Sequence, residues 1–229
     1  MTHHKSKTDA PLGLQVHEHL KELGIETPMH MDIVQGDLAE KTAKLTELFT
    51  EVWKTIGMDL TDDSLMDTPR RMAKMYLSEI YWGLDYNKFP KCTTIENKMK
   101  MDSMVVIKDI NIQSNCEHHG VVITGNAVVA YIPKDKVIGL SKINRICEFF
   151  AKRPQVQERL TEQVFHTLSY IMGTDDIAVF IEAEHFCVKS RGIQDLNSST
   201  VTSRLGGAFK EDARLRNEFM DIANRNSLR

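Results

Sequence analysis

Three short segments, far apart in the chain, carry side chains able to do chemistry together: Cys116-Glu117-His118-His119, His185-Phe186-Cys187 and Ser141-Lys142-Ile143-Asn144-Arg145. The first two offer two sulfurs and three imidazoles. Zinc takes thiolate and imidazole in a tetrahedron. A structural site uses four protein ligands, whereas a catalytic site uses three and leaves the fourth position to water. Five candidate ligands exceed what one ion needs. The surplus histidines suit proton transfer, since an imidazole has an intrinsic pKa near ~6.5.

Spacing favours convergence. Cys116 and His119 are three apart, which puts them on one side of a tight or helical turn. His185 and Cys187 are two apart near the end of an expected strand, where they would share a face. Two arrangements stay open at this level. In one, Cys116, His119 and Cys187 bind the ion, His118 and His185 are spare, and a water in the fourth position becomes acidic near neutral pH. In the other, His185 closes a four-ligand structural site. The remaining two of the four cysteines, Cys92 and Cys147, read as plainly buried; Cys147 falls on the apolar side of its helix with Leu140, Ile143 and Phe150.

The third segment reads as an anion site. Ser141 is placed to cap a helix whose N-terminus attracts phosphate, and Lys142 and Arg145 share a face of that helix. Lys189 and Arg191 follow Cys187, and Arg70, Arg71 and Lys74 form a further basic group. Guanidinium forks match phosphate oxygens. Surface lysines and arginines are common, so only position lifts these above a solvated face: the helix start for Lys142 and Arg145, the nearby ligand for Arg191. Gln157 and Glu158 open another helix. On dipole grounds alone Glu158 reads as a surface residue.

The elements that must hold these groups follow from periodicity. A short amphipathic helix is expected over residues 14–23 and a longer one over 38–57, stopped by Gly57. Asp67-Thr68-Pro69 opens a helix running to Gly83. From about residue 100 the pattern changes to period 2, with strands expected over 104–112 and 121–132 and the Cys116–His119 segment between them. Helices follow over 140–152 and 155–172, broken at Arg153-Pro154. Further strands are expected over 177–188 and 199–205, and a last helix over 212–224. The order predicts an α+β fold with mainly antiparallel pairing. Residues 1–35 read as a loosely ordered extension with a short helix, 36–99 as a helical region and 100–229 as the catalytic domain. The sheet would have an open edge, which pairing with another subunit could cover.

With 229 residues there is ample chain for a core, and the net charge of −3 argues against a dedicated nucleic-acid binder. No run of about 18 apolar residues marks a membrane span. The first residues lack the apolar stretch of a secretory signal, so a cytoplasmic protein is expected.

Five segments in order resemble GTP cyclohydrolase I of the bacterial type. They are Cys116-Glu117-His118-His119, Tyr131-Ile132-Pro133-Lys134, Gly139-Leu140-Ser141-Lys142-Ile143-Asn144-Arg145, Arg153-Pro154-Gln155-Val156-Gln157-Glu158-Arg159-Leu160 and His185-Phe186-Cys187-Val188-Lys189-Ser190-Arg191-Gly192. The likeness runs from about residue 60 to the end. It implies a tunnelling fold, with an antiparallel sheet, helices on one side and an N-terminal helical region. It also implies a homodecamer with active sites between subunits, and conversion of GTP and water into formate and 7,8-dihydroneopterin triphosphate, the first step towards folate-type pterins. On this resemblance Cys116, His119 and Cys187 match ligands of one Zn2+ per subunit. His118 matches a histidine that protonates the purine N7 during attack at C8, and His185 a second catalytic histidine near the opened ring. Glu158, with Gln157, matches the group holding the guanine edge, which reverses the surface reading. Ser141 counts among the catalytic side chains at the ribose and triphosphate end, and Lys142, Arg145 and Arg191 match triphosphate contacts. Arg71 and Lys74 match basic groups reaching in from a neighbouring subunit. One departure is Gly120, where the family commonly has a bulky apolar residue; glycine removes packing and permits unusual backbone angles, which leaves the ligand assignment intact and the rigidity of the loop open.

Overall fold

The computed structural model describes residues 7–225. Helix α1 runs Ala10–Glu22. Asp9 accepts the Leu12 amide at 3.1 Å and Pro11 lies in the first turn, so the helix begins earlier than its apolar stripe alone indicates. Val16 and Leu20 on it are fully buried in the main core, so the looseness expected before residue 35 does not extend to this helix. A single turn, α2 (Met31–Val34), leads to α3 (Leu38–Ile56), which Asp37 caps through the Ala39 and Glu40 amides at 2.8 and 2.9 Å. Gly57 ends α3 at φ +97°, a left-handed position that glycine takes without a Cβ clash.

Helix α4 (Thr68–Met75) packs on α3, with Trp53 Nε1 donating to Met72 Sδ at 3.0 Å and Phe49 stacked on Tyr76 at 5.5 Å between ring centroids. Asp67 precedes α4 as expected but does not cap it; its carboxylate instead takes Arg70 Nε at 3.0 Å and Nη2 at 2.6 Å. Nor does one helix run to Gly83. The chain widens into a π turn over Tyr76–Ile80, closed by the Tyr81 amide on the Tyr76 carbonyl at 3.0 Å, then tightens into 3-10 turns through Lys88. Single π turns of this kind often re-aim side chains near functional sites.

The strands and the helices between them follow in the order β1 (Thr94–Glu96), β2 (Val105–Cys116), β3 (Val122–Tyr131), β4 (Lys136–Ile138), α5 (Leu140–Ala151), β5 (Pro154–Gln155), α6 (Gln157–Met172), β6 (Ile177–His185), α7 (Phe186–Lys189), β7 (Thr200–Leu205), α8 (Gly207–Glu211) and α9 (Ala213–Asn224). The main sheet has the order β5-β2-β3-β6-β7, antiparallel throughout except that β5 joins the end of β2 in parallel. Strand β2 is longer than expected because its polar end, Gln113, Ser114 and Asn115, stays in register with Thr124, Ile123 and Val122. Strand β6 is shorter: it stops at His185, and Cys187 lies on the one-turn helix α7.

Period 2 sorts the sheet into two faces. Ala127, Val129 and Tyr131 of β3 and Ile177, Val179, Ile181 and Ala183 of β6 join Ile143, Ile146 and Phe150 of α5 and Leu160, Val164 and Leu168 of α6 in the main core. Their neighbours Val128, Ala130, Ala178 and Phe180 meet Phe209 of α8 and Phe219 of α9 on the opposite face. The fold is α+β, with the larger helical layer on one side of an antiparallel sheet and an N-terminal helical region, as expected.

At the break between α5 and α6 the side chain of Arg153 is wholly buried. Its Nη1 donates to Glu26 Oε1 at 3.1 Å and Thr27 Oγ1 at 3.2 Å, its Nη2 donates to the Gly83 carbonyl, and its guanidinium lies over the rings of Tyr86, Phe149 and Phe150. Glu26 also meets His17 Nδ1 at 2.7 Å and accepts from the Tyr86 hydroxyl at 2.5 Å. Removing one partner of a buried ion pair strands the other charge. Arg153→Ala is therefore expected to lower unfolding free energy by about 3 kcal/mol or more, read from denaturant unfolding; a loss within the ordinary surface range of about 0.5 kcal/mol would contradict the assignment.

Candidate active site

Cys116 is the last residue of β2, and residues 117–121 form the turn into β3. The turn is closed at both ends: the Cys116 amide donates to the Val121 carbonyl at 2.8 Å and the Gly120 amide to the Cys116 carbonyl at 2.8 Å. Asn115 Nδ2 holds the Gly120 carbonyl at 3.2 Å, and the Glu117 amide bonds the Gln155 carbonyl of β5 at 3.0 Å. Gly120 has φ +65°, so glycine suits the backbone, and the Tyr76 and Tyr81 hydroxyls lie 3.8 and 4.0 Å from where a Cβ would stand. Burial, with Tyr76 and Cys116 adding to it, pushes the Tyr81 phenol up to about 12.

One ligand atom each from Cys116, His119 and Cys187 lie within 4.8 Å of one another. His118 and His119 both place Nδ1 at 3.7 Å from Cys116 Sγ, but only His119 joins the group that includes Cys187. His185 stands outside it, with Nε2 2.8 Å from Gln157 Oε1. Of the two arrangements left open by spacing, the structure forms the three-atom cluster. The shared strand face expected for His185 and Cys187 is not its cause, because α7 turns Cys187 out of the strand. Two sulfurs and one imidazole suit a borderline-soft dication. Burial and the Cys116 sulfur push the Cys187 thiol up, and a cation between the two sulfurs would reverse that preference. Arg191 adds positive charge beside the cluster, its Nη1 2.6 Å from His119 Nε2.

The first turn of α6 meets the cluster from another side, and its three residues do different things. Gln157 is buried, and its Nε2 donates to Ile181 O at 3.0 Å, Thr200 O at 2.9 Å and Thr202 Oγ1 at 3.1 Å. Its amide is therefore taken up within the protein, whereas the neighbouring Glu158 is exposed. Burial pushes His185 below the usual histidine range and the Glu158 charge opposes that shift, which puts the two groups within electrostatic reach. Arg159 grips Glu117 with both arms, Nη1 to Oε2 at 2.6 Å and Nη2 to Oε1 at 3.2 Å. This clamp between the metal turn and α6 escapes sequence reasoning, because nothing local pairs residues 42 apart.

The anion group is more dispersed. Ser141 does not cap α5: Gly139 occupies the N-cap, and Ser141 lies exposed in the first turn. Lys142 and Arg145 project from α5 near Cys92, whose thiol burial holds at about 12 despite them. Cys147 is fully buried, as expected. Arg71 and Lys74 are exposed on α4; Arg71 Nε lies 3.6 Å from Asp67, and among the described residues neither has a hydrogen bond or ion pair with the metal cluster.

Residues 45–224 match the family model described as GTP cyclohydrolase I. The chain is 55% identical to the GTP cyclohydrolase 1 of Klebsiella pneumoniae subsp. pneumoniae over 205 residues, 90% of this chain and 92% of that protein. It is 54% identical to that of Yersinia enterocolitica over 211 residues, 92% and 95% of the two lengths. Among solved structures, the archaeosine synthase QueF-Like in the apo form overlaps 47% of this chain and 98% of its own, with 16% identity and a TM-score of 0.36.

Two outcomes follow from this geometry. His119→Ala is expected to lose bound divalent metal while His118→Ala retains it, by elemental analysis of the purified variants; equal retention would break the three-ligand assignment. The hydrogen bond from Arg159 holds Glu117 below the usual carboxylate range. A depressed folded pKa stabilises above the unfolded value near ~4.3 and is lost as pH falls through the lower folded value. The melting temperatures of the parent and Glu117→Gln should accordingly differ at neutral pH and converge in acid.

Proposed function

The chain belongs to the GTP cyclohydrolase I family, and from that premise we propose a division of labour among the residues of its site. The activity converts GTP into dihydroneopterin triphosphate. The observation that carries the reading is the cluster of Cys116, His119 and Cys187 with His118 and His185 left beside it.

Cys116, His119 and Cys187 would hold one Zn2+ per subunit, which supplies Lewis acidity toward water when bound. His118 gives a proton to the purine N7 as water attacks C8, which lets the imidazole ring open. His185 transfers protons at the opened ring, where a second hydrolysis releases formate before the ribose carbons close the new ring. Glu158 accepts the N–H groups of the guanine edge, next to Gln157. Ser141 stands at the ribose end, and Lys142, Arg145 and Arg191 hold the triphosphate. The triphosphate does not react, so its binding energy positions the base for attack.

The same reading includes a homodecamer with sites between subunits, in which Arg71 and Lys74 serve a neighbour's site. Three features support association. The outer edge of β7 has no partner strand among the described residues, β5 pairs with β2 only at Asn115 and Cys116, and α3 exposes Leu38, Leu48, Val52 and Ile56. A cytoplasmic protein is proposed, with neither nucleic acid nor membrane as partner; among the described residues no helix is long and apolar enough to cross a membrane.

Zinc-loaded protein given GTP should release formate and yield a pterin that fluoresces after oxidation, and chelation should abolish both. His118→Ala is expected to keep metal and assembly while losing at least ~100-fold in kcat, the scale of a lost general acid. Arg191→Ala should raise KM for GTP by about tenfold or more, as when a charge-assisted hydrogen bond is removed. Product formation by His118→Ala at the parent rate would remove it from proton transfer, and an unchanged KM would return Arg191 to the solvated surface.

A further inference from the structure

We propose that Gln157 is a positioning residue that fixes the tautomer of His185, with the ring proton on Nε2 and the lone pair on Nδ1. The inference rests on the reading of His185 as a proton-transfer group and adds what sets its tautomer.

The orientation of the Gln157 amide is decided by its surroundings. Its nitrogen lies 3.0 and 2.9 Å from the carbonyl oxygens of Ile181 and Thr200, which can only accept. The third neighbour, Thr202 Oγ1 at 3.1 Å, is also an acceptor. The reason is the hydroxyl chain behind it. Thr161 Oγ1 donates to the Gln157 carbonyl at 2.9 Å, so in the 2.7 Å contact between the two hydroxyls the proton comes from Thr202. A flipped amide would set its oxygen against two carbonyl oxygens inside the protein, with Gln157 only 1% exposed and no solvent to compensate.

The amide oxygen therefore faces His185 Nε2 at 2.8 Å. An amide oxygen only accepts, so Nε2 carries the proton. In the neutral ring the lone pair then sits on Nδ1. The acceptors that orient Gln157 belong to β6 and β7, where Ile181 pairs with Thr202, so the register of these two strands sets the tautomer of the histidine. Gln157 acts through His185 and leaves the guanine edge to its neighbour Glu158.

The test has two parts. Zinc-loaded protein labelled with 13C and 15N in histidine, with His185→Asn used to assign the signals, should show His185 as the Nε2–H tautomer; the Nδ1–H tautomer in the parent overturns the proposal. Gln157→Met keeps the length of the side chain and removes both polar atoms. It is expected to retain metal, to change KM for GTP by less than about twofold, and to lose at least ~10-fold in kcat, with His185 spread over both tautomers. A parent-like kcat in Gln157→Met overturns the proposal as well. His185→Asn separates this failure from that of the underlying reading: if it turns over at the parent rate, His185 is not the proton-transfer group, whatever Gln157 does. The parent spectrum decides the tautomer even if the methionine variant does not fold.

Discussion

A guanidinium with no exposed surface, that of Arg153, is the constraint around which this molecule is arranged. Taking such a charge out of water costs several kcal/mol unless partners surround it. Here they come from distant stretches: Glu26 and Thr27 after α1, the Gly83 carbonyl in the turns after α4, and the faces of Tyr86, Phe149 and Phe150. The contacts of Nη1, Nη2 and the guanidinium face thus tie the N-terminal helix and the irregular turns to the break between α5 and α6, while the buried Nε stays without a hydrogen-bond partner. The two residues after Arg153 form β5 beside the end of β2, and the Gln155 carbonyl receives the Glu117 amide of the metal turn. The path from the buried charge to the turn after Cys116 is short: two residues of backbone and one hydrogen bond.

The first turn of α6 then distributes that rigidity. Gln157 holds His185, Arg159 holds Glu117, and Glu158 stays exposed between them. Reactive groups work when their orientation is fixed by a supporting layer rather than by the groups themselves. The exposed pairs along the outer helices, such as Lys21 with Glu18 and Lys54 with Glu51, contribute little by comparison because water and salt screen them. The bidentate Glu117–Arg159 pair differs in geometry and in being mostly shielded, at 25% and 18% side-chain exposure.

The outer parts are less finished within one chain. Helix α3 has no buried residue, and the basic side chains of α4 stand apart from the metal cluster.

Much of this was legible in the residues. Cap residues, glycine stops and period-2 runs located the helices and strands, because those signals act within a few positions of the element they set. The sulfurs and imidazoles of Cys116, His118, His119, His185 and Cys187 pointed to a metal site by chemistry alone. Sequence could not choose between three ligands and four, nor foresee that α7 would turn Cys187 away from the strand, that Gly120 would close a tight turn under two tyrosine hydroxyls, or that Ser141 would leave the cap to Gly139. It also missed the contacts of Arg159 with Glu117 and of Gln157 with His185. These outcomes depend on pairs such as 157 with 185 and 117 with 159. Local preference says nothing about groups so far apart, and only burial of the sheet against α5 and α6 brings them within hydrogen-bonding distance. The sequence determined which chemistry was available; the tertiary structure decided which atoms carry it, because hydrogen-bond direction exists only between groups already in place.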